Sequence, residues 1–366
     1  MPSQTSAPVV KKTAEVADQP HDYERYGLRR DRVEEWEDGA HTDGRPGTYE
    51  WWYFDAHLDD GAKLVVVFMT KDLSAPKRPL SPTLRISLDL PDGRSFESVQ
   101  SYGVDTFSMD KGTADVRIGG SRFVGDLVGY RITAASDDVV IDVTLDSEIA
   151  PWRPGTGRIV FGPARDLEFA WLPAVPQGRV SGSYTVRGET RSAAGVGYHD
   201  HNWGNVGMME IIHDWYWARG AAGPYSVITS YITSHEDYGF EPIPIFMLAK
   251  DGVVIADDTS RVTFETAGDF VDARTGKPVS NVTRYSYDDG EARYVVTFTR
   301  HRDLGVGRFA DELPWPKRLA ARLVRFDGAY LRFTGELRVE RFENGTLAEQ
   351  FTDDAIWELM YFGHAR

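Results

Sequence analysis

Residues 197–204 read GYHDHNWG, a segment that sets two histidines, an aspartate, an asparagine and two aromatic residues between glycines. Two other segments share this mixture of polar and aromatic side chains: residues 50–55 (EWWYFD) and residues 213–217 (HDWYW). Aromatic surface is costly to leave in water, and polar groups are costly to bury without partners, so the mixture indicates a lined cavity. We interpret the three segments as the walls of one site.

A strand over residues 198–203 would alternate its side chains between two faces. One face would carry His199, His201 and Trp203, and the other would carry Tyr198, Asp200 and Asn202. In residues 50–55 the same alternation separates Glu50, Trp52 and Phe54 from Trp51, Tyr53 and Asp55. In each segment we expect one face to be core and the other to line the site. The same division applies to Trp215 and Trp217.

Alternating, β-branched and aromatic runs begin at residue 49, and turn pairs such as Asp92-Gly93 and Asp251-Gly252 separate them. This pattern predicts an all-β protein of two successive units, each a barrel or a sandwich. The predicted strands of the first unit are residues 49–58, 63–70, 84–90, 115–118, 123–133, 139–145, 180–186 and 195–202. Those of the second are residues 214–219, 225–233, 245–250, 253–256, 261–266, 283–287, 293–300, 330–341 and 347–358. We place the domains at residues 48–200 and 201–366, with a break near residues 192–207.

Three segments depart from the strand pattern. Residues 1–47 are charged and have little apolar periodicity, so we predict a partly disordered or draped arm with a short helix over residues 29–38. Residues 151–176 are rich in proline and glycine and are expected to cross one end of the first sheet. Residues 316–326 have helical spacing with a basic face, which predicts a helix that caps the second barrel; weak contact with a membrane surface is the alternative.

The composition limits the classes of function that the protein can have. At 366 residues the chain is long enough for two ordinary domains, and its 41% hydrophobic and 27% charged residues are typical of globular proteins. A net charge of −15 argues against nucleic acid as a partner. The absence of cysteine excludes disulfides and thiolate chemistry.

No apolar run approaches the length of about 18 residues that a membrane span requires. Residues 1–20 lack the apolar core of a signal peptide, so we predict a cytoplasmic protein. The sequence contains no nucleophile elbow, Walker loop or dinucleotide fingerprint.

Two kinds of chemistry fit the central segment. His199 and His201 on one strand face, with His213 as a third ligand, have the residue types of a metal site. We favour histidines that are hydrogen-bonded inside a polar interior, and we predict no metal and no organic cofactor. Asp200 and Glu50 are the carboxyl groups most embedded among aromatic residues, where desolvation raises a carboxyl pKa. Either is a candidate general acid; a carboxylate satisfied by backbone or side-chain donors is the structural alternative.

Residues 50–55, followed after one β unit by residues 198–204, resemble the AttH-like and carotenoid 1,2-hydratase (hydroxyneurosporene synthase) family. The resemblance covers the chain from about residue 49 to the C-terminus. It implies two tandem lipocalin-like antiparallel β-barrels, with the short predicted helix in the second. Members of this family add water to isoprenoid double bonds, and related proteins cyclise terpenoid or polyketide chains, some as intramolecular Diels–Alder catalysts. The His-x-Trp element of the family corresponds to His201 and Trp203.

These observations predict an enzyme that hydrates or cyclises an apolar, isoprenoid-like alkene after protonating it. The catalytic candidates are Asp200, His201, Glu50 and His199. The candidates for binding the substrate and stabilising a carbocation are Trp52, Tyr198, Trp203, Trp215, Tyr216 and Trp217. An intramolecular Diels–Alderase acting on a polyketide-type polyene is the first alternative, and a non-catalytic lipophile carrier is the second. The predicted partner is an apolar small molecule.

Overall fold

The computed structural model of this chain describes residues 13–72, 76–308 and 327–364. Within these ranges the regular structure is dominated by antiparallel strands, which form two large sheets and one small one. The predicted all-β class is therefore confirmed. None of the helices among the described residues is long and apolar enough to span a membrane.

The first sheet contains fourteen strands in the described part of the chain. They are β1 (Ala14–Val16), β2 (Tyr49–Leu58), β3 (Lys63–Met69), β4 (Thr83–Asp89), β5 (Ser95–Ser101), β6 (Phe107–Met109), β7 (Ala114–Ile118), β8 (Ser121–Gly125), β9 (Gly129–Ala135), β10 (Val139–Ser147), β11 (Arg158–Phe161), β12 (Leu167–Val186), β13 (Glu189–Ser192) and β14 (Gly195–Gly204). The main path runs β5-β4-β3-β2-β14-β12-β10-β9-β8-β7-β6, and β1, β11 and β13 lie off it.

The second sheet has nine strands among the described residues, in the order β18-β17-β16-β15-β25-β24-β23-β22-β19. They are β15 (Ile212–Ala222), β16 (Tyr225–Ser234), β17 (Pro242–Lys250), β18 (Val253–Ala256), β19 (Val262–Ala267), β22 (Val282–Asp288), β23 (Ala292–Arg308), β24 (Ala329–Glu343) and β25 (Thr346–Tyr361). A separate pair consists of β20 (Phe270–Val271) and β21 (Pro278–Val279). The predicted domain boundary between residues 200 and 201 falls inside β14, whose last residues belong to the first sheet.

Helical structure is short in the described residues. Helix α1 (Pro20–Tyr26) begins with proline and ends at Gly27, whose positive φ of 67° suits glycine. Helix α2 (Met208–Ile211) links the two large sheets. Single 3-10 turns occupy Glu35–Asp38, Val104–Thr106, Glu236–Tyr238 and Thr259–Arg261.

Three apolar clusters hold the fold together. The first fills the inner side of the first sheet, and the second fills the inner side of the second sheet. The third lies between the outer sides of the two sheets and joins Trp51 and Trp171 of the first to Ile228 and Ile245 of the second. The two sheets therefore pack back to back, and the strands at this contact are buried on both faces.

Strands β2 and β14 form the centre of the first sheet, paired in continuous register from Gly195 opposite Leu58 to Gly204 opposite Tyr49. Both are rich in aromatic residues, which favour a buried pleated surface. Gly195 starts β14 with a φ of 157°, and a Cβ there would lie 2.2 Å from the His57 carbonyl oxygen. Only glycine fits this close approach of two backbones.

The segment over residues 151–176 is a correction to the sequence prediction. It does not simply cross the end of the sheet, because it supplies β11 and the first half of the long strand β12. Pro173 and Pro176 lie where the register between β12 and β14 shifts, between Leu172 and Val175 and between Val175 and Gly178. Proline lacks an N–H donor and is tolerated at such irregularities, which explains a strand that its composition conceals.

Other strand predictions also needed correction. Residues 123–133 form two strands, β8 and β9, because the chain turns at Leu127, whose φ is 72°. Strands β5 and β6 were not predicted, since β5 is largely polar and β6 has only three residues. The expected helix over residues 29–38 is reduced to the 3-10 turn Glu35–Asp38, and the α-helix lies earlier, at α1. The helix predicted over residues 316–326 lies outside the described residues.

Candidate functional site

Strand β14 presents different chemistry on its two faces, and its register with β2 brings two of the three sequence segments together. Asp200 lies opposite Tyr53, His201 opposite Trp52, and Trp203 opposite Glu50. The odd-numbered residues 199, 201 and 203 face the inner side of the first sheet, while 198, 200 and 202 face the second sheet. The predicted alternation is therefore observed, and it produces two separate polar clusters.

The inner cluster is organised by Asp38, a residue of the N-terminal segment that sequence reasoning did not select. Its Oδ2 accepts hydrogen bonds from the Tyr130 hydroxyl at 2.6 Å and from His199 Nε2 at 3.1 Å. His199 Nδ1 donates to the Tyr53 carbonyl oxygen at 2.8 Å. Asp38 and His199 are 1% and 0% exposed. Asp38 lies in the predicted arm, where no local pattern marks it as a partner of residues far along the chain.

His201 lies between two carboxylates in the same cluster. Its Nε2 is 2.9 Å from Glu50 Oε1, and its Nδ1 is 3.4 Å from Asp38 Oδ1. The ring stacks on Trp52 with a centroid distance of 4.3 Å. Burial lowers the pKa of His201, but the contacts with Asp38 and Glu50 outweigh it and raise that pKa overall.

Glu50 does not have the raised pKa that the sequence suggested. Burial pushes its pKa upward, but His201 and the backbone N–H of His41 lower it overall. Its carboxylate accepts from His41 N at 2.6 Å, from Thr42 N at 2.9 Å and from Thr42 Oγ1 at 2.8 Å. These donors stabilise the anion. Glu50 is therefore an ionised, fully buried partner of His201.

Asp200 lies on the outer face and is held by three donors. The Tyr198 hydroxyl and Trp171 Nε1 each donate to Oδ2 at 2.8 Å, and Asn202 Nδ2 donates to Oδ1 at 2.7 Å. Burial raises the pKa of Asp200 although these hydrogen bonds oppose the shift. Asp200 therefore has the raised carboxyl pKa that the aromatic surroundings predicted.

An ion pair between Asp55 of β2 and Arg219 of β15 joins the sheets beside Asp200. Arg219 Nε donates to Asp55 Oδ2 at 3.1 Å, and its Nη2 makes a second contact with the same carboxylate. The guanidinium carbon lies 5.3 Å from the ring centroid of Tyr198. Burial lowers the pKa of Arg219 to about 10. The Tyr53 hydroxyl donates a hydrogen bond to Asp55 Oδ2 at 3.1 Å.

The second sheet contributes a carboxyl group that sequence reasoning missed. In its register Glu358 of β25 lies between Trp217 of β15 and Arg332 of β24. The Tyr330 hydroxyl donates to Glu358 Oε2. Burial raises the pKa of Glu358, and the charge of Asp200 raises it further, against the effects of Tyr330 and Arg332. One feature of the sequence could have indicated this residue: Glu358 is an acid on a strand face that it shares with the apolar residues Ile356 and Met360.

These outer-face groups lie between the two sheets, in a region that we call the inter-sheet cleft. It is bounded by Tyr53, Tyr198, Asp200, Trp217, Arg219, Tyr330, Arg332 and Glu358. Several of them, including Tyr53, Arg219 and Glu358, are partly exposed, yet burial is the largest cause of their pKa shifts. Side chains that are partly exposed and yet strongly desolvated are typical of a recess between packed elements. The cleft combines aromatic faces with acids of raised pKa.

Only part of the third sequence segment joins the other two: Trp217 borders the inter-sheet cleft beside Tyr198. Tyr216 packs inside the second sheet, where its hydroxyl accepts from Ser280 N at 3.0 Å. His213 pairs with Asp214 at 2.5 Å and donates from Nε2 to the His364 carbonyl oxygen at 2.7 Å. Trp215 and Trp217 do face the first sheet. The three segments therefore share one site only in part, because strand alternation sends neighbouring residues to opposite sides of their sheets.

The inner cluster also differs from a metal site. Residues 13–72, 76–308 and 327–364 contain no group of three or more His, Cys, Asp or Glu side chains arranged to hold a metal ion. The nitrogens of His199 and His201 face oxygen atoms of the protein, and His213 lies in a different cluster.

The chain was compared with known protein families, sequences and structures. The sequence pattern that defines the Diels-Alderase-like family matches residues 45–306. The chain is 28% identical over 254 residues to a hydroxyneurosporene dehydrogenase of Chlorobaculum tepidum, covering 60% of this chain and 65% of that relative. It is 25% identical over 292 residues to a Diels-Alderase of Acremonium sp., covering 73% of this chain and 68% of the relative. The chain thus spans less than two thirds of the length of the dehydrogenase.

Among solved structures, a putative AttH from Nitrosomonas europaea matches 91% of this chain and 98% of its own, with a TM-score of 0.59 and 17% identity. At that identity the likeness establishes the fold. The AttH-like fold of paired lipocalin-like β units, which the sequence resemblance implied, is confirmed.

Proposed function

We propose a function for a chain that belongs to the Diels-Alderase-like family: cofactor-independent hydration or cyclisation of an apolar, isoprenoid-like alkene in the inter-sheet cleft. The observation that carries this proposal is Asp200, a carboxyl group whose pKa is raised by burial beside aromatic faces. Such a group can remain protonated near neutral pH and donate its proton. The named activities of the relatives are consistent with an apolar small-molecule substrate.

The proton donor in this proposal is the pair of carboxyl groups Asp200 and Glu358. Each is desolvated, and the charge of Asp200 makes ionisation of Glu358 less favourable. Two carboxyl groups that share one environment resist losing both protons, so one proton is retained at a pH where an isolated acid would be ionised. Asp200 is held by three donors, whereas Glu358 is partly exposed and receives one hydrogen bond, from Tyr330.

The aromatic walls supply the second requirement of the reaction. Protonation of an alkene creates a carbocation, and aromatic faces stabilise cations. The ring centroids of Tyr198 and Trp217 are 5.6 Å apart, one from each sheet, and Tyr53 lies 6.2 Å from Tyr198. A carbocation formed next to the carboxyl pair would therefore have aromatic faces beside it. Water or an internal double bond then quenches it.

The inner cluster has a supporting role in this scheme. His199, His201 and Glu50, which the sequence suggested as catalytic, are 0% exposed and are separated from the cleft by the strand itself. Trp52 and Trp203 lie on the same inner face. We assign these residues the task of fixing β14, so that Asp200 is held in place at the cleft.

Intramolecular Diels–Alder catalysis is the second candidate, and the family match over residues 45–306 favours it. In that reaction the cleft folds a polyene into a reactive shape, and positioning supplies most of the rate. A lipophile carrier is less consistent with the cleft, because binding alone does not require two desolvated carboxyl groups.

Turnover in deuterium oxide separates the two enzymatic candidates. The purified protein would be incubated with acyclic isoprenoid alkenes and with conjugated polyenes, and the products would be analysed by mass spectrometry. Protonation of carbon by an exchangeable acid places deuterium on a product carbon. Deuterium-free product formed at a normal rate by both Asp200→Asn and Glu358→Gln would refute the acid mechanism and favour the pericyclic one. If neither class of substrate is converted, the protein is not the proposed enzyme.

A further inference from the structure

Four aromatic rings form a continuous column between the two sheets at one end of the inter-sheet cleft. Trp51 of β2 stacks on Phe169 of β12 with a centroid distance of 6.2 Å, and Phe169 stacks on Trp215 of β15 at 5.8 Å. Phe362, which follows β25, meets Trp215 edge to face at 5.4 Å. Two of the rings come from each β unit, so this aromatic column closes the gap between the sheets with apolar surface.

The aromatic column and the ion pair between Asp55 and Arg219 lie at opposite ends of one stretch of β15. Trp215, Trp217 and Arg219 are alternate residues of this strand, and all three project towards the first sheet. Four residues of extended strand separate Trp215 from Arg219, a length of about 13 Å. Glu358, one of the two acids in the proposed mechanism, lies between these limits, because it is opposite Trp217 in the register.

The surroundings of the column are apolar. Met360 of β25 is directly opposite Trp215 in the register, and Met69 of β3 is directly opposite Trp51. Methionine side chains are unbranched and adapt to the shape of the groups that pack against them. Trp215 and Met360 are both partly exposed, so part of this apolar surface is not covered by any described residue. Such a surface suits the apolar end of a ligand.

The Trp215 ring is held by packing and not by a hydrogen bond. Its Nε1 has no hydrogen-bond partner among the described residues, although the atom is hidden from solvent. A substitution at this position therefore breaks no hydrogen bond in the described part of the chain. Its effect on binding reports on the space that the ring fills.

We infer that the aromatic column forms the closed end of the substrate site and that Trp215 sets the length of the apolar chain that the cleft accepts. This inference rests on the proposed function and adds its substrate class: an acyclic isoprenoid-like alkene whose apolar terminus contacts the column while its reacting double bond lies beside Asp200 and Glu358. The opposite orientation places the apolar terminus against the ion pair of Asp55 and Arg219. An apolar group there removes solvent from two charges, which is unfavourable. The terminus therefore points towards Trp215.

The test measures chain-length preference with three isoprenoid alcohols. Geraniol, farnesol and geranylgeraniol differ by one isoprene unit at each step, and each is titrated into the full chain by isothermal titration calorimetry. Trp215→Leu shortens the side chain and keeps it apolar, whereas Trp215→Phe is a milder variant that keeps an aromatic ring against Phe169. Trp36→Leu is the matched control, because it makes the same replacement at a residue with 37% exposure in the N-terminal segment, outside the cleft.

The wild-type protein and the Trp36→Leu control should show the same order of affinity for the three alcohols. In Trp215→Leu the ratio of the dissociation constant of geraniol to that of geranylgeraniol should rise about tenfold or more, because space opens for the longer chain while contact with the shorter one is lost. Trp215→Phe should change this ratio in the same direction by a smaller factor. An unchanged ratio in both Trp215 variants, or equal weakening of all three alcohols, would overturn the closed end and leave the proposed function standing.

Failure of the wild-type protein to bind any of the three alcohols has a different meaning. It would contradict an apolar-alkene cleft, and with it the proposed function. Thermal unfolding of each variant shows that the compared proteins are folded, and Trp215→Phe carries the test if Trp215→Leu does not fold.

Discussion

Arg219 on the second sheet forms an ion pair with Asp55 on the first, and this contact joins the two β units beside the cleft. Both side chains are largely buried, at 11% and 8% exposure. A buried charge that loses its partner is much more costly than an exposed one. The pair therefore makes the relative position of the two sheets, and with it the shape of the cleft, depend on one electrostatic contact.

Removing one member of this pair should destabilise the protein strongly. Asp55→Asn leaves the Arg219 guanidinium buried without a counterion, and we expect a loss of about 3–5 kcal/mol in the free energy of unfolding. Chemical denaturation monitored by tryptophan fluorescence measures the change. The control Asp142→Asn breaks an exposed pair with Arg131 and should cost only about 0–1 kcal/mol. Equal effects of the two substitutions would show that the contact between Asp55 and Arg219 is weak.

Amide substitutions of the carboxyl pair should impair turnover without abolishing binding. Asp200→Asn and Glu358→Gln each remove a proton donor while preserving shape, and we expect each to lower kcat by about 10²–10⁴-fold. The affinity for an apolar ligand should change little, because the aromatic walls remain. Steady-state kinetics and ligand titration together measure the two effects. A rise in KM with unchanged kcat would assign these residues to binding instead of proton transfer.

Three groups of the inner cluster, His201, His41 and Glu50, should contribute to the pH dependence of stability. The raised pKa of His201 contributes stability that is fully present below 6.5 and is lost as pH rises through its folded-state pKa. Burial, with a further contribution from the charge of His201, lowers the pKa of His41 to about 4, so stability falls as pH drops from 6.5 towards 4. The lowered pKa of Glu50 adds to the loss of stability in acid, below the usual glutamate pKa of 4.5. We therefore expect maximal stability near pH 6.5.

Two substitutions separate these contributions. His201→Gln should flatten the alkaline side of the stability profile, and His41→Gln should flatten the stretch between about 4 and 6.5. Thermal denaturation at a series of pH values measures both profiles. An alkaline decline that persists in His201→Gln would show that another group controls it.

The N-terminal segment should be required for a stable first sheet. Asp38→Ala leaves the Tyr130 hydroxyl and the His199 and His201 rings without their shared carboxylate, and we expect a cost of about 3–5 kcal/mol. Tyr130→Phe removes only one donor and should cost about 1 kcal/mol. Denaturant unfolding gives both values, and hydrogen exchange should show faster opening of residues 35–50 in Asp38→Ala. A cost for Asp38→Ala no larger than that for Tyr130→Phe would show that the inner cluster does not depend on this carboxylate.

Sequence reasoning located β2 with the bounds observed and placed β14 within two residues, because aromatic alternation is a local signal. It also separated the two faces of β14 correctly. It missed Asp38 and Glu358, which reach the two clusters only through contacts between residues far apart in the chain. It also misjudged the pKa of Glu50, because the donors that stabilise its anion are the backbone groups of residues 41 and 42, whose proximity no sequence pattern reveals.

Because alternate residues of β14 and β2 serve different clusters, changes in substrate scope and loss of foldability are separable outcomes of mutation. A library that randomises Tyr53, Trp217 and Tyr330 would sample new cleft shapes while leaving the inner cluster intact. Randomising His199 or His201 would mostly yield proteins that fail to fold. The alternation of side chains along β2 and β14 thus separates positions that can vary with the substrate from positions that the fold requires.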